Sequence, residues 1–488
     1  MSEQTASSLA GAIPTPVARL EPDAIGVAQD TVIGMASSAP AATVGLSIAG
    51  LAIATAYGSG LILILTAIPM LIIANAYRRL NLWNANCGAT FEWVGRAINP
   101  YLGFITGWLM VAAYIIGTVA EVLLLGPSVL QVFGVTSFGS ASAQTWSYVG
   151  IGGAVGIVML IVAIVGIRIT ARTQVGIALV EYLILVGLSV AGLFWVLGHH
   201  AHSVHITSGW FSLSGVAGKG SAVAGFLTAV FIYGGWDGTL YVNEEVKHRR
   251  VNPGRAAIIA VALLAVIYTL AQVGLQGVIS PQRLSQSAKA GTSLVVIAHV
   301  LGGGFWAKAM ALSIALSVIA TTGTGIVLGA RLVYGMASYR ALPGFLSNVS
   351  RRYATPVYAS LFVGVLIIVL SAVYFLATSV QSAFSDVIAV TGFLFSIFYI
   401  MTALAAMVYY RRRVFSTAWD FFILGVLPLG AAGFLGWVLV KSLLQAHAAL
   451  NWSLVGIIAV GAIMMVIARF GLRSPFFHIR RESDSQRT

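Results

Sequence analysis

Long apolar runs are the feature that most restricts the fold of this chain. Stretches such as Leu61–Ala76 and Ile151–Ile167 are apolar almost throughout and do not alternate with polar residues. A transmembrane helix needs about 20 mostly apolar residues, whereas the strands of a membrane barrel show a period of two. Only 8% of the residues are charged, against roughly a quarter in a soluble domain. The sequence therefore predicts an all-α polytopic membrane protein and excludes both a soluble globule and an outer-membrane barrel.

Twelve segments are apolar and long enough to be transmembrane helices. They are predicted near residues 24–50, 57–76, 100–133, 147–168, 173–197, 219–243, 256–279, 304–338, 357–378, 386–410, 420–441 and 452–469. The first 22 residues contain neither the basic nor the apolar region of a signal peptide. We therefore expect segments 1–22 and 470–488 to be cytosolic tails.

The distribution of Lys and Arg predicts the orientation of the chain. Of the 27 Lys and Arg residues, 22 fall on the side of the N-terminus, and the other five are Lys219, Arg283, Lys289, Lys308 and Lys441. Basic loops remain on the cytosolic side, so a multi-pass protein of the cytoplasmic (inner) membrane with both termini in the cytosol is expected. The net charge of +13 is thereby assigned to these loops, and no nucleic-acid partner is predicted.

The first predicted span contains a break in its helical pattern. Pro40 has no backbone N–H and cannot continue a helix, but it fits the first position of a new one. Ser37 or Ser38 would then be the N-cap of the second half-helix. The second half-helix is therefore expected to begin inside the membrane.

The sixth predicted span contains a second break. The segment from Tyr233 to Gly238 holds three glycines and the carboxylate of Asp237 in the middle of an apolar run. Glycine lowers helix propensity, and a charged group at membrane depth costs a few kcal/mol. Irregular backbone is tolerated there only when it lines a cavity or is buried in protein. This span is therefore also expected to be unwound.

Breaks five spans apart are typical of a five-plus-five inverted repeat, in which the substrate binds between the two broken helices. The expected repeats are 23–197 and 218–413, followed by two additional helices over 420–469. The expected substrate-binding residues are Ala36, Ser37, Ser38, Ala39, Tyr233, Gly234, Trp236 and Asp237. Asp30, two turns before the first break, is a candidate for a gate on the cytosolic side.

Several motifs resemble the amino acid, polyamine and organocation superfamily of secondary transporters. The most specific are the segment from Phe231 to Asp237, the Glu244–Lys247 loop and the Asn252–Ala256 segment. The resemblance implies the leucine-transporter fold. Many relatives that bind amino acids have a Gly-Ser-Gly type sequence at the first break, where this chain has Ala36–Pro40. The substrate is therefore expected to be either an amino acid or another small organic amine.

A second difference from the family concerns the coupling ion. Several proton-driven relatives have a lysine nine residues after the arginine of the Ala-Arg motif, and the corresponding position here is Glu181. Glu181 is therefore a candidate proton carrier, with a neutral hydrogen-bonded carboxyl as the alternative. Asp237 is a candidate for the same role or for contact with a substrate ammonium, and its alternative role is a helix cap. Thr321 and Thr322 are candidate sodium ligands, unless they bond back to their own helix.

The chain contains no Walker A motif and no hydrolase motif. We therefore expect no enzyme activity, no cofactor and no metal site, and a single cysteine, Cys87, precludes an intrachain disulfide. The leading hypothesis is proton-coupled uptake of an amino acid or small amine. An exchanger, a sodium symporter, a channel and a transporter-derived sensor are the alternatives. The sequence predicts no oligomeric state.

Overall fold

The computed structural model describes residues 19–135, 140–200, 203–212, 216, 221–289, 291–377, 380–479 and 481–482. Most of the predicted tail 1–22 and part of the tail 470–488 lie outside these residues. Within them the backbone is helical, apart from loops and one parallel bridge between Ile25 and Val246. The predicted all-α class is thereby confirmed.

Helices of eight residues or more are numbered along the chain. The first eight are α1 (Val27–Ala36), α2 (Pro40–Ala54), α3 (Ser59–Trp83), α4 (Thr90–Ala97), α5 (Pro100–Val122), α6 (Leu125–Val132), α7 (Ala141–Val165) and α8 (Ile167–Leu197). The next eight are α9 (Ala222–Tyr233), α10 (Asn252–Leu275), α11 (Pro281–Lys289), α12 (Ser293–Ser338), α13 (Val357–Ala377), α14 (Val380–Tyr409), α15 (Leu427–Gln445) and α16 (Ala448–Val466).

Eleven segments among the described residues are long and apolar enough to cross a membrane. The predicted sixth span is not one of them, because α9 has only 12 residues before its backbone leaves helical geometry at Gly234. The protein is therefore a multi-pass helical membrane protein, and the count of twelve stays a prediction that depends on this broken segment. The division into two repeats also stays a prediction.

The predicted eighth span is longer in the structure than in the sequence interpretation. Helix α12 runs from Ser293 to Ser338, but Gly302 and Gly303 depart from helical geometry, and Gly303 has φ of +78°. Glycine adopts such a conformation without the steric cost of a side chain. The straight part that follows this kink corresponds to the predicted span 304–338.

The centre of the bundle holds the two short half-helices of the first span. Helix α12 packs against α2, α5 and α8, while α1 packs against α8, α10 and the turn that follows α9. The breaks between α1 and α2 and after α9 are therefore surrounded by protein. Backbone groups that lack helical hydrogen bonds can be accommodated in a membrane only in such surroundings.

The C-terminal segment packs against the side of the bundle on which α1 begins. Its turn Pro475–His478 inserts the Phe476 ring against Phe91 of α4, with ring centroids 3.9 Å apart. Arg96, also in α4, forms an ion pair with Glu482 at 2.6 Å. Helix α4 is thereby held between this C-terminal segment and the bundle.

Candidate functional site

The first break lies where the sequence predicts it, but its cap differs. Helix α1 ends at Ala36 and α2 begins at Pro40. The N-cap is Ala39, with φ of +44°, and its own side chain has no group that could accept a hydrogen bond, so the expectation that Ser37 or Ser38 is the N-cap is wrong. The reason is that other side chains reach the free N–H groups of α2. Ser38 instead contributes its carbonyl to the break.

Glu181 is one of the side chains that reach the start of α2. Its Oε1 accepts a hydrogen bond from the backbone N–H of Ala41 at 3.0 Å, and the N–H of Ala42 donates to Ser317 Oγ at 3.3 Å. Carboxylates are favoured at helix N-termini, where the free N–H groups and the helix dipole attract them. Glu181 is fully buried, and its Oε2 has no hydrogen-bond partner among the described residues. Glu181 thus occupies the position at the N-terminus of α2 that favours an anion.

The second break follows α9 directly. Gly234 is extended and Gly235 has φ of +109°, after which residues Trp236–Leu240 form a 3-10 turn. A Cβ atom at Gly235 would come within 2.6 Å of the Ser37 carbonyl oxygen. Glycine is therefore required at position 235 both for its backbone conformation and for close packing.

The two breaks contact each other. The Ser37 hydroxyl donates a hydrogen bond to the Gly235 carbonyl, and the Tyr114 hydroxyl lies 3.4 Å from the same oxygen. Tyr268 donates from α10 to the Ser38 carbonyl at 3.0 Å. Hydroxyl groups from neighbouring elements thus donate hydrogen bonds to carbonyl groups at both breaks.

Asp237 lies in a cluster of tyrosines. Its carboxylate accepts hydrogen bonds from Tyr241 and from Tyr399, the latter at 2.8 Å. Trp236 stacks on Tyr399, with centroids 5.3 Å apart and planes at 16°. Tyr233 donates to the Leu63 carbonyl at 3.1 Å. Asp237 and Tyr233 are therefore hydrogen-bonded to other protein groups, and Trp236 packs on an aromatic ring.

The two threonines of α12 have different partners. Thr321 donates to the Ala36 carbonyl at the end of α1, at 2.6 Å, whereas Thr322 donates to Val318 of its own helix at 2.7 Å. Only Thr321 thus contacts the first break. Within the described residues, no three His, Cys, Asp or Glu side chains lie together so that they could hold a metal ion.

A small cavity of about 30 Å³ borders both breaks. This volume is enough for a water molecule and is well below the range of small-molecule sites, about 300 to 1,000 Å³. Its lining residues are Ser37, Ser38, Thr43, Ala113, Tyr114, Gly117, Thr118, Glu121, Phe231, Gly234, Thr321, Gly325 and Phe395. Four of the residues expected at the site line the cavity, namely Ser37, Ser38, Gly234 and Thr321.

The other expected substrate-site and coupling residues are not among the residues that line the cavity. They are Ala36, Ala39, Glu181, Tyr233, Trp236, Asp237 and Thr322. Sequence reasoning assigned no site role to one face of α5. That face combines Tyr114, Thr118 and Glu121 at spacings of four and three residues in an apolar span. Such a polar stripe at helical spacing is the signal that identifies a cavity-lining face.

The side on which α1 begins is closed by backbone and side-chain contacts. Ala24 donates its N–H to the Glu245 carbonyl at 2.8 Å, and Ile25 bridges to Val246. Arg331 of α12 binds the Glu245 carboxylate through two N–H groups at 2.9 and 3.0 Å, and both side chains are fully buried. Burial raises the pKa of the Glu245 carboxyl, and the Arg331 guanidinium acts in the opposite direction.

Asp30, the residue expected at a gate, lies in α1 near this closed side. It is completely buried, and neither of its carboxylate oxygens has a hydrogen-bond partner among the described residues. The buried ion pair on this side of the described structure is Glu245–Arg331 instead. An arginine inside an apolar helix needs an acidic partner, and this is the signal in the sequence that could have identified the pair.

Comparisons with known proteins place the chain in a family. Asc-type amino acid transporter 1 of Mus musculus is 30% identical over 145 residues, which cover 29% of this chain and 26% of that protein. Large neutral amino acids transporter small subunit 2 of Homo sapiens is 31% identical over 143 residues, again 29% and 26% of the two chains. Cationic amino acid transporter 4, vacuolar, of Arabidopsis thaliana is 23% identical over 70% of this chain and 56% of that protein.

The matched segment thus spans 26% of the length of each of the first two relatives. A family model extends much further. The model described as "Amino acid permease" matches residues 29–472, which include both breaks, the cavity and the Glu245–Arg331 pair. The chain therefore belongs to the amino acid permease family.

Proposed function

We propose that this protein is a secondary active transporter that takes up an amino acid or a small organic amine across the cytoplasmic membrane. The observation that carries the proposal is the cavity bordered by both broken spans, Ser37 and Ser38 on one side and Gly234 on the other. Broken helices at membrane depth provide backbone groups for a polar substrate. Family membership and the names of the relatives support an amino acid as the substrate.

The contacts that close one side of the site support alternating access. The Glu245–Arg331 pair and the Ile25–Val246 bridge close the side on which α1 begins. The cavity extends away from that side, toward Thr43 of α2 and Glu121 near the end of α5. With the N-terminus in the cytosol, as the basic loops predict, the cavity is on the external half of the membrane and the cytosolic gate is closed.

Glu181 is the proposed proton carrier. Its carboxylate bonds to α2 through the Ala41 N–H, while the Glu181 backbone carbonyl accepts from Ser313 of α12. A movement of α2 away from α8 would leave a buried carboxylate without its donor, and an unpaired charge in the bilayer core is costly. Proton uptake by Glu181 would therefore accompany such a movement.

Replacement of Glu181 by Gln tests this proposal. The variant retains the size of the side chain but is permanently neutral, so we expect it to exchange substrate across the membrane while losing accumulation driven by a pH gradient. Uptake and counterflow of radiolabelled amino acids in proteoliposomes measure the two activities separately. The matched variant is Asp237→Asn, which neutralises the carboxylate in the tyrosine cluster.

Each result assigns the coupling role differently. Uncoupling by Asp237→Asn, with Glu181→Gln still concentrative, would transfer the role to Asp237. Uptake that depends on sodium and ignores pH would indicate a sodium symporter, for which Thr321 of α12, which donates to the end of α1, is the candidate ligand. Obligate exchange without any accumulation by the wild type would indicate an antiporter.

A further inference from the structure

A segment that follows α16 joins two helices near the closed side of the site. We refer to residues 474–479, 481 and 482 as the C-terminal strap. The ring of Phe476 stacks on Phe91 of α4, with centroids 3.9 Å apart, and meets the Tyr339 ring edge-on at 5.8 Å. Tyr339 directly follows α12, and Phe476 is fully buried. The Phe476 ring therefore fills the space between α4 and the end of α12.

Polar contacts hold the strap on both sides of this ring. Ser474 donates its hydroxyl to the Tyr339 carbonyl at 2.6 Å, and the Glu482 N–H donates to the Arg96 carbonyl at 2.9 Å. The Arg96 guanidinium binds the Glu482 carboxylate at 2.6 Å and donates to the Tyr339 hydroxyl at 3.1 Å. The strap, α4 and the end of α12 are thus connected by both aromatic and polar contacts.

Both elements that the strap joins also contact the closure on the side where α1 begins. Helix α12 carries Arg331, which binds the Glu245 carboxylate. The loop that leads into α4 carries Cys87, whose N–H donates to the Glu244 carboxylate at 3.0 Å. Because Glu244 and Glu245 are neighbours in the chain, α12 and the loop before α4 hold the same short segment from two directions.

We propose that the C-terminal strap is a latch that stabilises the conformation closed on this side by holding α4 to the end of α12. Separation of these two elements would cost the Phe476 ring its contacts on one side. A contact that is present in one conformation and lost in the other shifts the equilibrium between them by its free energy. This inference rests on the proposed alternating access and adds a regulatory element to it.

The natural cysteine provides the measurement. Cys87 is the single cysteine of the chain, and its side chain is fully buried in the closed conformation. Alkylation by N-ethylmaleimide requires that this side of the protein open. When opening and closing are fast relative to alkylation, the rate is proportional to the population of the open form. The rate is measured on the purified full-length protein.

Replacement of the strap's buried ring is the main variant. We expect Phe476→Ala to increase the alkylation rate of Cys87 by about tenfold, because the ring's contacts with both elements are lost. The matched control is Phe470→Ala, which removes a ring that is 73% exposed and should leave the rate unchanged. Glu482→Gln breaks the partly exposed pair with Arg96 and should increase the rate by a smaller factor. This milder variant provides the test if Phe476→Ala does not fold.

A second reporter distinguishes a latch from a local cover over Cys87. Ile25 lies on the other part of the closure, where it is fully buried and bridges to Val246. Ile25→Cys in a Cys87→Ser background is alkylated with and without Phe476→Ala. A latch predicts faster alkylation at position 25 as well, because the whole side opens more often.

Two results would overturn the inference. One is an unchanged rate at Cys87 in correctly folded strap variants. The other is a faster rate at Cys87 with an unchanged rate at position 25, which would make the strap a local cover only. Both results leave the proposed transport intact. A wild type that takes up no amino acid or amine would instead contradict the proposed function, and uptake is measured separately from alkylation.

Discussion

Replacement of Gly235 by alanine is expected to abolish transport. Gly235 has φ of +109°, and an added Cβ atom would lie 2.6 Å from the Ser37 carbonyl oxygen. Strained backbone of this kind costs about 1 to 3 kcal/mol for a residue other than glycine. The contact would also separate the two breaks, which meet through the Ser37 hydroxyl and the Gly235 carbonyl. Since the cavity depends on this contact, uptake in proteoliposomes should fall to background.

The control for this prediction is another glycine of the broken first span. A Cβ atom at Gly50 in α2 would meet nothing within 4 Å, so Gly50→Ala should transport at nearly the wild-type rate. Equal amounts of monodisperse protein must be reconstituted, because a failure of Gly235→Ala to fold would also reduce uptake. Normal uptake by well-folded Gly235→Ala would disprove the requirement for contact between the breaks.

Removal of one partner of the Glu245–Arg331 pair is expected to destabilise the protein strongly. Both side chains are fully buried and joined by two hydrogen bonds. Loss of one partner leaves an uncompensated buried charge, which costs about 3 to 5 kcal/mol. We therefore expect Arg331→Met to lower the apparent Tm in detergent markedly. Because this pair also closes one side of the bundle, the variant should lose concentrative uptake.

The ion pair between Arg168 and Glu21 is the matched comparison. Its side chains are 53% and 37% exposed, and surface pairs contribute about 0 to 1 kcal/mol. Glu21→Gln should therefore leave the apparent Tm almost unchanged. The double variant Glu245→Gln/Arg331→Met should regain part of the stability lost by Arg331→Met. Equal losses of Tm from the buried and the surface pair would contradict the assigned role of burial.

Local signals explain which parts of the site could be predicted. Pro40 determines where a half-helix begins, and the run of glycines around Trp236 prevents a continuous helix; both effects act within a few residues of the chain. The breaks were therefore predicted at the positions where the structure shows them. The N-cap of α2 was not predicted correctly. Glu181, 140 residues away in the sequence, accepts the hydrogen bond from the Ala41 N–H, so α2 does not need a serine cap.

Long-range pairings explain what could not be predicted. Tyr399 binds Asp237 across 162 residues, and Arg331 binds Glu245 across 86 residues. Periodicity and composition do not specify which helices contact each other. The sequence therefore shows that a charged Asp237 in the membrane costs free energy, but it does not indicate the tyrosines that bind it. The same limit applies to Glu121, because its position in a cavity wall depends on how four other elements pack against α5.

Substrate protection of a cysteine placed in the cavity tests most directly whether this cavity binds the substrate. Because Cys87 is the single cysteine of the chain, Cys87→Ser provides a thiol-free background. Thr118→Cys in that background places a thiol in the cavity wall. Ser208→Cys, in the exposed turn after α8, is the control.

The rate of alkylation by N-ethylmaleimide is measured with and without each amino acid that is taken up by proteoliposomes containing the protein. A transported amino acid is predicted to slow alkylation at position 118 in proportion to its occupancy and to leave alkylation at position 208 unchanged. Equal alkylation rates at position 118 with and without a saturating transported amino acid would contradict a substrate site between the two breaks.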